Sequence, residues 1–117
     1  MLAYKNRFHG HGSLRYVYAK GDAVRTQKIV VKFTPNSRRK DSRFAVVVSK
    51  KVLKSAVGRN RIRRRVYEII RHELPEIEGV FDVAVMVFHK SVREMPHEEL
   101  RDSIKEIFSE AGFYCKK

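Results

Sequence analysis

The chain has a single cysteine, Cys115, which excludes an internal disulfide framework and any zinc centre built on cysteines. No apolar run approaches the length of a bilayer span, so no membrane-crossing helix is expected. The opening nine residues, M-L-A-Y-K-N-R-F-H, lack an apolar h-region, so no signal peptide is expected. Together these absences fit a reducing cytoplasm. There is no G-x-G-x-x-G, no P-loop and no H-E-x-x-H, and with them go the commonest nucleotide-binding and metalloprotease chemistries. Repeats, linkers and low-complexity segments are also missing. Acidic residues are scarce in one half only. Residues 1–65 carry 19 basic and 2 acidic side chains, a net +17, whereas residues 66–117 carry 7 basic and 11 acidic, a net −4.

What is present is positive charge in one place. The formal charge is +13 and the pI about 10.2, which points first to nucleic acid and second to an anionic membrane surface. Solubility alone does not require the cations to cluster. The densest stretch, residues 49–67, reads S-K-K-V-L-K-S-A-V-G-R-N-R-I-R-R-R-V-Y and holds eight basic residues and no acid. At 117 residues the chain is expected to be one domain, residues 1–117, large enough to bury a core.

Residues 1–12 read as a basic, flexible arm with glycines at its end. Ser13 as N-cap and Gly21 as stop frame a short helix with Leu14, Val17 and Tyr18 on one face. Lys28–Thr34 alternates as a strand, with Ile29, Val31 and Phe33 on one side and Val30 and Lys32 on the other. Pro35–Asp41 is a turn tipped with positive charge. Arg43–Ser49 is more apolar and reads as a central strand covered on both faces. A helix then spans Ser55 to His72. At about 100° per residue, Ile62, Val66, Ile69 and Ile70 share a buried stripe while Asn60, Arg64, Tyr67 and Arg71 lie opposite. Arg61 and Glu68 take one flank, Arg59 and Arg63 the other. Leu74-Pro75 ends it, Val80–Phe88 forms a strand, and a last helix starts at Pro96 and closes at Gly112. The two apolar strands are expected to be parallel, with the basic helix as their crossover. The fold class is an α/β (α+β) sandwich with a small sheet.

No catalytic set stands out. His9 and His11 lack further nearby ligands, and a solvated arm explains them. Glu98–Glu99 and Glu76/Glu78 suit a helix start and a turn better than acid/base work. Ser49 lies beside lysines but has no glycine-rich oxyanion turn. A strand, not a second short helix, precedes the basic helix, which disfavours a helix-turn-helix DNA reader. Charge and helix geometry alone stop at RNA or DNA binding.

Ser49-Lys50-Lys51, then Ala56-Val57, then Arg59-Asn60-Arg61-Ile62-Arg63-Arg64 resembles the signature of the bacterial ribonuclease P protein subunit. The order of these blocks is specific where an arginine-rich run alone is not. Asn6-Arg7-Phe8 resembles that family's basic N-terminal arm, and the flanking elements sit at matching distances. Three positions depart from the pattern. Val52-Leu53-Lys54-Ser55 stands where many members carry a glycine shortly after S-K-K, Leu14 stands where an aromatic is usual, and Lys32 stands where tyrosine is common.

The resemblance implies a two-layer sandwich in αβββαβα order with a left-handed crossover through the basic helix, against the general rule. It implies a cofactor of an RNA enzyme, in which RNA and its magnesium ions cleave precursor tRNA to give the mature 5′ end. The implied partners are ribonuclease P catalytic RNA and precursor tRNA, with no membrane and no obligate protein partner. No catalytic residue and no tightly held metal are expected on the protein. Lys50, Lys51, Lys54, Arg59, Asn60, Arg61, Arg63, Arg64 and Arg7 are the expected RNA contacts, because guanidinium forks and an amide suit phosphates and sugars. Leu14, Tyr18, Val30 and Lys32 are expected to form a cleft for the single-stranded 5′ leader, an apolar floor with a positive rim. The alternative is a structural, ribosomal-type RNA-binding protein with no role in cleavage.

Overall fold

The computed structural model describes residue 6, residues 12–36 and residues 40–114, with only the backbone of residues 12 and 13. Arg7, His9, His11, most of the arm, the Ser13 side chain, the tip of the Pro35–Asp41 loop and Cys115 lie outside the described residues. The elements run α1 (Gly12–Lys20), β1 (Asp22–Arg25), β2 (Ile29–Pro35), β3 (Arg43–Val48), α2 (Ala56–Glu73), β4 (Phe81–Val87) and α3 (His97–Glu110). Short 3-10 turns at Leu74–Glu76 and Lys90–Arg93 flank β4. This is the expected αβββαβα order.

The four strands lie in the order β1-β2-β4-β3. β1 and β2 are antiparallel, as are β2 and β4, while β3 and β4 run parallel and α2 connects them. The apolar run in β3 is therefore not that of a central strand, because β4 takes the centre and β3 lies at an edge. Its free edge is partly closed by α2, whose Tyr67 hydroxyl accepts a hydrogen bond from Val46 N at 3.2 Å.

Alternation sorts the sheet into two faces. Ile29, Val31 and Phe33 of β2, Phe44, Val46 and Val48 of β3, and Val83, Val85 and Val87 of β4 enter one core with α2 and α3. The stripe Ile62, Val66, Ile69 and Ile70 is buried there, as are Leu100, Ile104, Ile107 and Phe108 of α3. α1 lies on the other face, packed over β2 and β4 with Val17 fully buried. Gly21 ends α1 where its C-terminal turn meets β2. A Cβ there would lie 2.6 Å from Val17 O and 2.8 Å from Phe33 O, so only glycine fits.

α3 ends in a Schellman turn. Phe113 N donates to Phe108 O at 3.1 Å, Gly112 N donates to Ser109 O at 3.1 Å, and Gly112 has φ +81°. The accompanying apolar contact is Phe113 on Phe108, with ring centroids 5.1 Å apart. Phe113 also meets Phe33 edge-on at 5.1 Å and Phe81 at 4.6 Å. On the α1 side of the sheet, Arg43 and Asp82 form a buried two-point ion pair, Nε to Oδ1 at 3.0 Å and Nη2 to Oδ2 at 2.7 Å. Asn36 Nδ2 donates to the same carboxylate at 2.8 Å. Asn6, in the N-terminal arm, is buried and donates from Nδ2 to Ser42 O at 2.9 Å.

Candidate RNA interface

α2 starts where the basic loop ends. Ser55, extended at φ −69° and ψ 120°, accepts a hydrogen bond from Gly58 N on its Oγ at 3.0 Å. The first turn contains no acid, so the positive end of the helix dipole is left uncompensated on the face that carries the cations. Lys50, Lys51, Lys54, Asn60, Arg61 and Arg64 are all exposed. Arg63 is half-exposed and donates from Nη2 to Asn60 Oδ1, which holds the amide and the guanidinium side by side. Loop and helix thus form one continuous positive surface.

Two arginines of the run face inward. Arg59 donates from Nη1 to Leu53 O at 2.9 Å and to Lys54 O at 2.8 Å, which ties the basic loop to the helix. Arg59 therefore has a folding role in addition to any contact with RNA. Arg65, outside the expected set, donates from Nη1 to Val92 O and Arg93 O, both at 2.9 Å, and from Nη2 to Met95 O. It clamps the segment after β4 onto α2. Its position on the helical wheel, close to the buried stripe, was the signal for this role. On the opposite side of the helix, Arg71 donates to Glu68, and this bond holds the Glu68 carboxyl down to about 2.

The other expected site lies between α1 and the sheet. Leu14 and Tyr18 are half-exposed on α1, and partial burial pushes the Tyr18 phenol up from its ordinary value. Lys32 is half-buried and donates from Nζ to Tyr18 O at 3.0 Å, so it neutralises one of the open carbonyls at the end of α1. Val30 was expected on an exposed face, but it is only 5% exposed. It shares a face with Lys32, and α1 packs over β2 there, so Val30 supports the helix and does not line an open groove.

The rest of that face is apolar and more open. In the row through Val30, Met86 and Val47 follow; in the row through Lys32, Ala84 and Ala45 follow. Ala45, Val47 and Met86 are half-exposed. They form an apolar floor that the sequence reading missed. The signal was the run F-A-V-V-V, apolar at both parities in what proves to be an edge strand.

Among the described residues, no group of three or more His, Cys, Asp or Glu side chains could hold a metal ion. No helix is long and apolar enough to cross a membrane among the described residues.

A family model described as Ribonuclease P matches residues 2–112. The ribonuclease P protein component of Pseudanabaena sp. is 36% identical over 112 residues, covering 95% of each chain. That of Bacillus mycoides is 32% identical over 108 residues and covers 92% of each. The solved Staphylococcus aureus RNase P protein has the same fold, with a TM-score of 0.82 at 24% identity over 94% of this chain and 98% of that one. With its sequence under that family's model almost throughout and relatives matched over nearly their full length, the chain belongs to the ribonuclease P protein family.

Proposed function

We propose that this chain is the RNA-binding protein component of a bacterial ribonuclease P. It binds the catalytic RNA through the Lys50, Lys51, Lys54, Asn60, Arg61, Arg63 and Arg64 surface, with the inward-held Arg59 at its margin and Arg7 of the arm as a further contact. The leader of precursor tRNA runs across the groove beside α1, over Leu14, Tyr18 and the Ala45, Val47 and Met86 floor, past the Lys32 ammonium. The RNA and its magnesium ions hydrolyse the phosphodiester and release the mature 5′ end. The protein offers counter-charge and a groove, and works in the bacterial cytoplasm without a membrane or a second protein.

The observation that carries this reading is the family match over residues 2–112, and the exposed cationic surface of loop and helix, free of acidic residues from Ser49 to Tyr67, supports it. The test is cleavage of precursor tRNA at low magnesium by a bacterial ribonuclease P RNA, with and without this protein. Protein alone should not cut, protein with RNA should cut well, and Arg61→Ala/Arg64→Ala should be impaired. A protein that binds RNA yet never stimulates cleavage would be a structural RNA-binding protein.

A further inference from the structure

A hollow of about 550 Å³ lies beside the start of α2. Such a volume falls within the range of small-ligand sites, about 300–1,000 Å³. Its floor is apolar, from Leu53, Met95 and Pro96, and its rim carries Lys28 and Lys90. Glu94 lies 3.6 Å from Arg93 Nε and so is matched locally, while Glu99 sits in the first turn of α3, near that helix's positive end. Neither Lys28 nor Lys90 forms an ion pair among the described residues. Ser91 contributes a hydroxyl whose oxygen is buried and has no hydrogen-bond partner among the described residues. An orphaned hydroxyl of this kind carries a desolvation cost that a ligand can relieve. Beside the rim, Phe88 is 54% exposed, and its N–H donates to Lys28 O at 2.7 Å.

The walls of this hollow are held by the RNA helix itself. Arg59 fixes the carbonyls of Leu53 and Lys54 on one side, and Arg65 fixes those of Val92, Arg93 and Met95 on the other. Gly58 lets the walls meet over the first turn of α2. A Cβ there would lie 2.7 Å from the Leu53 side chain and 3.3 Å from Arg93 Nη1. Two arginines of the cationic run thus shape a concave apolar site that is continuous with the cationic surface.

We propose that this hollow receives one unpaired nucleotide of the RNA partner. The inference rests on the ribonuclease P reading and extends its RNA interface beyond the helix. The base lies against Leu53, Met95 and Pro96, the flanking phosphates meet Lys28 and Lys90, and Ser91 Oγ hydrogen-bonds a base edge or a 2′-hydroxyl. A phosphate alone would have no use for the apolar floor, and an apolar side chain would have none for the cationic rim. Bulged and looped bases are the parts of a folded RNA that can be splayed into such a site.

The test uses the full chain and a full-length bacterial ribonuclease P RNA. With Cys115→Ser removing the sole native thiol, Lys90→Cys carries an azidophenacyl photo-crosslinker. The expected product is a cross-link to a nucleotide that lies outside the RNA's helices. Lys28→Ala/Lys90→Ala should flatten the plot of log affinity against log salt by about 1.4, for two single-strand phosphate contacts. Leu53→Ser should weaken binding about tenfold with the salt slope unchanged. Parent-like affinity and slope in the folded double-lysine variant would overturn the proposal, as would a cross-link to a second copy of the chain. Failure of the parent protein to bind the RNA at all would instead remove the ribonuclease P reading, and this inference with it.

Discussion

Arg64 and Arg65 are neighbours in sequence and should fail in opposite ways when removed. Arg64 and Arg61 point to solvent, whereas Arg65 spends its guanidinium on three backbone carbonyls of the segment from Val92 to Met95. A hydrogen bond from a charged donor contributes about 1.5–3 kcal/mol. Three bonds from one group share a single desolvation cost, so we take about 3 kcal/mol for the set. At about 4 °C per kcal/mol for a domain of this size, Arg65→Ala should lower Tm by about 12 °C. Once folded, it should keep the part of the salt slope that the exposed face of α2 contributes, losing at most the share of the hollow it walls. Arg61→Ala/Arg64→Ala should shift stability by only about 0.5 kcal/mol per site. It should, however, lower the salt slope of RNA binding by about 1.8, for two lost duplex phosphate contacts. Thermal melts followed by circular dichroism and RNA titrations from about 50 to 200 mM salt read both quantities. If Arg65→Ala melts with the parent and flattens the salt slope, Arg65 is a phosphate contact and the clamp is wrong. If the double variant keeps the full slope, the exposed face of α2 is not where RNA binds.

Gly21→Ala should destabilise by about 1–3 kcal/mol in denaturant titration, because the new methyl meets two backbone carbonyls and neither can yield cheaply. A neutral result would mean that α1 does not dock as described. Tyr114 donates from its hydroxyl to the buried Glu73 carboxylate at 2.8 Å, and burial followed by that bond pushes its phenol well above the ordinary 10.0. Its stabilisation is complete below that ordinary value and is lost only as pH rises through the elevated one, so spectrophotometric titration should find a latest phase from Tyr114, beyond that of Tyr18, whose phenol is also raised. Tyr114→Phe should abolish that late phase and cost about 1–3 kcal/mol. Glu68 behaves in the opposite sense, since Arg71 lowers its carboxyl from 4.5 to about 2. The stabilisation from that pair is complete above the ordinary value and is lost as pH falls toward about 2, and a carbon-13 titration with a midpoint at the ordinary value would break the reading.

Much of this was legible in the sequence because simple periods were obeyed. The stripe Ile62, Val66, Ile69 and Ile70 follows the helical repeat, and all four are buried. Ser55 caps α2 and Gly112 turns the chain at the end of α3, each by local chemistry that needs no tertiary context. Strand order was not legible in this way. Apolar residues at both parities in Arg43–Val48 mean either a covered central strand or an edge strand with a useful outer face, and only the pairing with β4 decides. Val30 failed for a related reason: alternation assigned its face correctly, but not that α1 would cover it. The split among the arginines escaped as well, because a wheel of side chains does not show which carbonyls from Leu53 or Val92 will come within reach.

Phe113 gives the fold a direction in time. Its ring lies against Phe33, Phe81 and Phe108, and its carbonyl accepts from Glu78 N at 2.7 Å, so it is a central piece of the core that is synthesised late. A ribosome adding about 5–20 residues per second delivers it roughly 4–16 s after Phe33. Throughout that interval the core face of the sheet lacks one of its large rings, and for roughly its last two-thirds the basic loop and the start of α2 have already been made. The nascent chain therefore displays its cationic loop before its core can close. The order of synthesis thus leaves a concentrated positive charge on display while the fold is still being completed.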